Sequence, residues 1–131
     1  ILKKEKSTNL VDCVLLLEEY KKAIDESSIV SRTDNKGIIT YVNQKFCEIS
    51  GYKENELLGQ NHNIIRNPKT PKSFFKDMWE ILSHKKTFKG VISNKRKDGT
   101  TYYVDSTIVP IINNKSISSV KISELAKGFP P

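Results

Sequence analysis

Cysteine, proline, glycine and tryptophan are all scarce in this chain of 131 residues, and the scarcities close off whole classes of protein. The two cysteines, Cys13 and Cys47, form neither a CxxC pair nor a metal-ligand spacing, which argues against a secreted disulfide scaffold and a zinc site. Six glycines and five prolines are too few for a low-complexity or collagen-like chain. The longest apolar run, Val14 to Leu17, is far too short to span a bilayer, and no signal peptide is visible. No internal repeat is present. Glycine-rich phosphate loops, HExxH and GxSxG are likewise missing, so nothing marks the chain as an enzyme. Glu18-Glu19 and Asp25-Glu26 have the spacing of helix-surface charges rather than of a catalytic pair.

What is there suits one domain. The chain opens on Ile1 and is expected to be a fragment of a longer protein or a processed chain. The formal net charge of +7 comes from 22 basic and 15 acidic residues, but the lysines are scattered over every expected element. The densest run, Lys95-Arg96-Lys97, falls in a turn, and the aromatics sit at core spacing, so a nucleic-acid partner is not expected. Lys3, Lys4 and Lys6 suit the flank of a membrane span further upstream. The expected location is the cytoplasm, with the membrane entering only through a longer parent protein.

The pattern predicts a helix from Leu10 to Ser28, preceded by frayed polar residues 1–9. Leu10, Cys13, Leu17, Tyr20 and Ile24 fall at a/d heptad spacing, with Val11, Val14 and Leu15 widening the apolar face. Two uses stay open: the seam of a parallel homodimer, or packing on the chain's own sheet. Cys13 and Cys47 read as small core or seam residues. Strands follow at Ile29–Thr33 and Ile38–Val42, joined through Asp34-Asn35-Lys36-Gly37, then short helices at Gln44–Ser50, with Asn43 as N-cap and Gly51 as stop, and at Glu54–Leu58. Thr70-Pro71 opens a helix to Lys85 whose apolar face carries Phe74, Phe75, Met78, Trp79, Ile81 and Leu82. Strands at Phe88–Lys95 and Thr100–Ile112 turn at Asp98-Gly99. In the second, Tyr102, Val104, Ile108 and Ile112 oppose Tyr103, Val109 and Ile111, so both faces are expected to be covered. Asp105 is expected to pair with a lysine across the sheet. A short last strand is expected at Ile117–Ile122, and a tail at 126–131. The fold class is α+β, with an antiparallel sheet.

That order of elements resembles the PAS domain over about Ile29 to Ile112. The resemblance rests on Asp34-Asn35-Lys36-Gly37-Ile38-Ile39-Thr40-Tyr41-Val42-Asn43, on Phe46-Cys47-Glu48-Ile49-Ser50-Gly51-Tyr52, on Glu56-Leu57-Leu58-Gly59 and on the strand pair around Asp98-Gly99. It implies a five-stranded antiparallel sheet with short helices on one face and an N-terminal amphipathic helix. Residues 1–28 would be a linker or dimerisation helix, and 29–125 the sensor domain. Lys121-Ile122-Ser123-Glu124-Leu125 faintly resembles the family's closing signature, which couples to the output.

A finer resemblance is to the PAS domains of bacterial aerotaxis receptors, through His62-Asn63-Ile64-Ile65-Arg66-Asn67-Pro68-Lys69-Thr70-Pro71, Asp77-Met78-Trp79 and Gly90-Val91-Ile92-Ser93-Asn94. It implies FAD as cofactor, with Asn43, Arg66, Phe75, Trp79 and Asn94 as its contacts. Asn67, Lys69 and Thr70 depart from that subgroup's histidine, aspartate and methionine. Haem, with His62 or His84 as axial ligand, is a secondary alternative. In the light-oxygen-voltage branch the reactive cysteine would align with His62, and Val104 replaces a flavin asparagine, so that photochemistry is not expected. Two function classes remain. One is a sensor binding a small molecule between sheet and helices. The other is a ligand-free homodimerisation module, through the N-terminal helix and the sheet face, in a histidine kinase, diguanylate cyclase or chemoreceptor.

Overall fold

The computed structural model describes residues 2–128. The N-terminal helix α1 spans Leu2–Ser27, and β1 (Ile29–Asp34) and β2 (Ile39–Val42) form a hairpin after it. Helices α2 (Gln44–Ser50) and α3 (Glu54–Leu57) lead into a 3-10 turn at His62–Ile65. Helix α4 (Lys72–Ser83) precedes β3 (Phe88–Lys95), β4 (Thr101–Asn113) and β5 (Ser116–Lys127). The strands make one antiparallel sheet in the order β2-β1-β5-β4-β3. This is the expected α+β architecture, with the last strand at the centre of the sheet.

Local chemistry explains most boundaries. Asp34 Oδ1 accepts from the Lys36 and Ile38 amides, and Gly37 takes φ +86°, a turn that closes the first hairpin. These amide bonds, Ile38's the stronger, lower the Asp34 pKa. Asn43 caps α2, and Gly51 ends it at φ +77°. At α4 the observed N-cap is Pro71 itself, with no side-chain cap, so Thr70 does not take the capping role expected of it. Its hydroxyl turns instead towards Ser93 Oγ, 3.5 Å away.

One face of the sheet carries the core. Ile92, Val104, Ile108, Val120 and Ile122 pack with Phe46, Leu57, Ile65, Met78 and Leu82 from the helices. Removing a side chain as buried as Phe46 costs about 3–5 kcal/mol. Phe74 meets Phe75 and Phe88 edge to face at 5.3 and 5.7 Å. Ile81, expected on the inward face of α4, is exposed.

Several expectations are corrected. Helix α1 begins at Leu2, well before Leu10, so residues 2–9 are helical rather than frayed. It does not pack on its own sheet: residues 9–23 are exposed, including Leu10, Val14, Leu17 (66% exposed) and Cys13. Among its described side chains the C-terminal end is tied down, where Asp25 accepts from the Tyr41 hydroxyl at 3.2 Å. Its apolar stripe is therefore open to a partner. Cys47 does pack against the core. The outer face of the sheet is half open at Val91, Val109 and Leu125. Ile112 lies past a register shift at the end of β4 and is exposed. Asp105 stands opposite Val91 and Leu125, not a lysine. Among the described residues the ion pair is Lys97–Glu56, at 2.5 Å. The last strand, expected to end at Ile122, runs to Lys127, because its continuation pairs along β4 as far as Tyr103. The tail is thus partly strand; Phe129, Pro130 and Pro131 lie outside the described residues.

Candidate functional site

A cavity of about 290 Å³ lies between the inner face of the sheet and the helices. That is the small end of the size range of ligand pockets. Met78, Leu82, Ile92, Ile108, Val120 and Ile122 give it an apolar body. Asn61, His62, Arg66, Asn94 and Glu124 add polar groups, and Lys36 adds an ammonium.

Four of the five expected contact residues meet here: Arg66, Phe75, Trp79 and Asn94. Helix periodicity explains two of them. Phe75 and Trp79 are four residues apart, on one side of α4. Trp79 is 37% exposed, so the indole has a free side. The Arg66 guanidinium stacks 3.7 Å from the Phe75 ring centroid, which fixes the charge at the wall of the cavity. Burial lowers the Arg66 pKa, yet the group stays a cation. Arg66 and Asn94 also pair as an isolated antiparallel bridge, pinning the segment after the 3-10 turn to edge strand β3. Asn67 and Thr70, two of the departures from the aerotaxis pattern, strengthen that pin. Asn67 Nδ2 donates to Ser93 Oγ at 3.2 Å, and its Oδ1 accepts from the Lys69 amide.

The fifth residue, Asn43, stands apart and is a correction to the expected set. It is buried where α1, β1 and α2 meet, and it does not line the cavity. Its Oδ1 accepts from the Val30 and Phe46 amides, and its Nδ2 donates to the Asp25 and Ser28 carbonyls. Every hydrogen-bonding position of that amide is filled, leaving none for a ligand. The role is architectural.

The histidines separate in the same way. His62 lines the cavity with its ring edge-on to Phe46, and its Nε2 lies 3.1 Å from Ser31 Oγ. Burial pushes its pKa down to about 4, so the ring is neutral at pH 7. His84 caps the end of α4, with Nδ1 2.8 Å from the Glu80 carbonyl, away from the cavity. No cysteine is among the lining residues, so a cysteine–ligand adduct has no thiol here.

Sequence reasoning missed Glu124. It sits on β5 with Val120 and Ile122 on the inward face, and it is 3% exposed. Its Oε2 accepts from Ser106 Oγ across the strand pair, while its Oε1 is buried without a partner. Burial pushes the carboxyl up to about 7, and the Ser106 bond pulls the other way. The signal was present in the alternation Val120, Ile122, Glu124: a charged residue at the next inward position of an apolar strand face. The strand end expected at Ile122 stops short of it, whereas β5 runs to Lys127.

Comparison with known proteins agrees with this geometry. The PAS domain family matches residues 25–123. Over 94 residues the chain is 39% identical to the aerotaxis receptor of Escherichia coli, covering 72% of this chain and 19% of the receptor. It is 34% identical over 91 residues to the nitrogen fixation regulatory protein of Klebsiella pneumoniae, covering 69% of this chain and 18% of that protein. The chain thus spans about a fifth of the length of these curated relatives. A solved light-oxygen-voltage domain studied with a flavin analogue superposes with a TM-score of 0.73 at 20% identity, covering 86% of this chain and 84% of that one. A PAS domain from Colwellia psychrerythraea gives 0.72 at 22% identity, covering 82% and 94%. The family match takes in the cavity-lining residues other than Glu124, and the chain belongs to the PAS domain family, as a sensor module.

Proposed function

We propose that the cavity holds a flavin, and that its occupancy is passed through β5 and α1 to the rest of a longer signalling protein. The observation that carries this reading is the convergence of Trp79, Phe75, Arg66 and Asn94 on one apolar cavity. The fit follows from the donor set. Trp79 and Phe75 supply flat faces for a ring system. Asn94 carries both a donor and an acceptor, as the edge of a pyrimidine ring requires. Arg66 supplies a fixed cation for carbonyl or phosphate oxygens. When bound, a flavin would supply redox chemistry that the side chains lack. The relatives' names, an aerotaxis receptor and a nitrogen fixation regulatory protein, fit such a ligand.

Partners follow from the same reading. The exposed stripe of α1 (Leu10, Val14, Leu17) is an unusual amount of apolar surface for a free helix. A second copy of this chain, aligned in parallel along the a/d positions, would bury it, with the half-open outer sheet face as the neighbouring contact. No described helix is long and apolar enough to cross a membrane. A cytoplasmic position, with any membrane anchor elsewhere in the parent protein, suits the cavity's proposed cofactor.

The test is reconstitution. Purified protein is incubated with FAD, passed through a desalting column and scanned. The expected result is a retained visible flavin band together with quenched Trp79 emission. No retained flavin and unchanged indole fluorescence would leave the ligand-free dimerisation reading in its place.

A further inference from the structure

The most unusual group in the molecule is the Glu124 carboxyl. It is buried in the cavity wall with one oxygen satisfied and one not. Orphaned buried oxygens are rare, and each one asks for a reason. No cation lies within ion-pair distance of it among the described residues. The Lys36 ammonium and the Arg66 guanidinium line the same cavity, but Arg66 is held against Phe75. The Tyr102 hydroxyl, two inward positions along β4 from Ser106, is buried and also makes no bond to Glu124. His62 is the remaining titratable group on the cavity wall, and its nitrogen is engaged with Ser31.

The arrangement chooses a protonation site. Oε2 already accepts a hydrogen bond from Ser106 Oγ, so it behaves as the carbonyl oxygen of the acid. The acid's own proton then belongs on Oε1, the oxygen left without a partner. A ligand that fills the cavity excludes water further, and that favours the neutral form again. We infer that Glu124 is a specificity-determining residue that binds the cavity's ligand as a neutral acid, donating from Oε1 to a ring nitrogen or carbonyl oxygen. The ligand class is accordingly a flat heteroaromatic with hydrogen-bond acceptors on two edges, one meeting Arg66 and one meeting β5. Binding takes up a proton from solvent wherever the carboxyl was ionised beforehand. This inference rests on the flavin reading and deepens it, because it names how one edge of the ring is recognised.

The consequence is a pH-dependent affinity around neutrality. Glu124 titrates at about 7, while His62 titrates near 4, so between pH 6 and 8 the carboxyl is the cavity-wall group that changes charge. If the neutral acid is the binding form, affinity falls by about tenfold from pH 6 to pH 8.

The experiment uses riboflavin as the probe and the full chain, with binding read by fluorescence quenching at several pH values. The wild type is expected to bind about tenfold more weakly at pH 8 than at pH 6. E124Q keeps a donor and carries no charge, so it should bind at every pH about as the wild type does at pH 6. E124L loses the donor and should bind weakly at every pH. Circular dichroism checks that both variants fold. A second readout is the ¹³C chemical shift of the Glu124 carboxyl. Its midpoint should lie near neutrality in the free chain and move upward when riboflavin binds. Riboflavin affinity that is constant or rises from pH 6 to pH 8, or a carboxyl that ionises more readily in the complex, overturns this inference and leaves the flavin reading standing. A wild type that binds no riboflavin at any of these pH values overturns both.

Discussion

Replacing Asn43 by alanine tests whether this residue holds the fold or the ligand. The side chain makes four hydrogen bonds, two accepted at 3.0 Å and two donated at 2.8 and 3.0 Å. Truncation removes the α2 cap, which costs about 1 kcal/mol. It also strands the buried Val30 amide, which costs about 2 kcal/mol more. The Asp25 and Ser28 carbonyls are partly exposed, so water can replace the lost donor there at little cost. The total, about 3 kcal/mol, is a large share of the 5–15 kcal/mol that holds a typical domain together. With an m value of roughly 1.5 kcal/mol/M in urea, the unfolding midpoint falls by about 2 M at unchanged slope. N43D keeps both accepted bonds and loses the donated ones, so it should lose about half as much. Riboflavin affinity, measured well below the new midpoint, should not change. A loss below about 1 kcal/mol in N43A, or a large loss of affinity in a folded N43A, would refute this assignment.

Three further outcomes follow from the same structure. Burial raises Glu124 from 4.5 to about 7, so its contribution is fully present below pH 4.5 and is lost as pH rises through about 7; E124Q should gain about 3 kcal/mol at pH 8 and little at pH 4.5, read by urea unfolding. Burial depresses His62 from 6.5 to about 4, so its contribution is present above 6.5 and is lost as pH falls towards 4. The two slopes oppose each other, so wild-type stability should change little between about pH 4.5 and 6.5, whereas E124Q should lose about 2 kcal/mol on acidification over that window; a flat E124Q profile would contradict the pair. L17E, on the exposed stripe of α1, should convert a dimer into a monomer by light scattering without altering the unfolding of the PAS core, and a monomeric wild type would remove the seam.

Local and periodic features were legible in the sequence. The cap at Asn43, the stop at Gly51, the apolar face of α4 and the turns at Gly37 and Gly99 all depend on residues within a few positions of one another. Arg66, Phe75, Trp79, Asn94 and Asn43 were grouped only through the family resemblance; the first four line the cavity and Asn43 does not. Only its cap bond to Phe46 is local; the other three reach residues 13 to 18 positions away, and no local pattern exposes them.

By itself, then, the sequence determined the kinds of element, their order and the turn chemistry, because these are set by short-range sterics and by the spacing of apolar residues. Only the tertiary structure decided that β5 runs on to Lys127 in the middle of the sheet, that α1 stands with its apolar stripe uncovered, and that Glu124 is buried with one oxygen unpartnered. Each of these depends on which distant segment lies alongside. A carboxylate on β5 becomes a buried acid only once β4 brings Ser106 against it and the helices close over the same face.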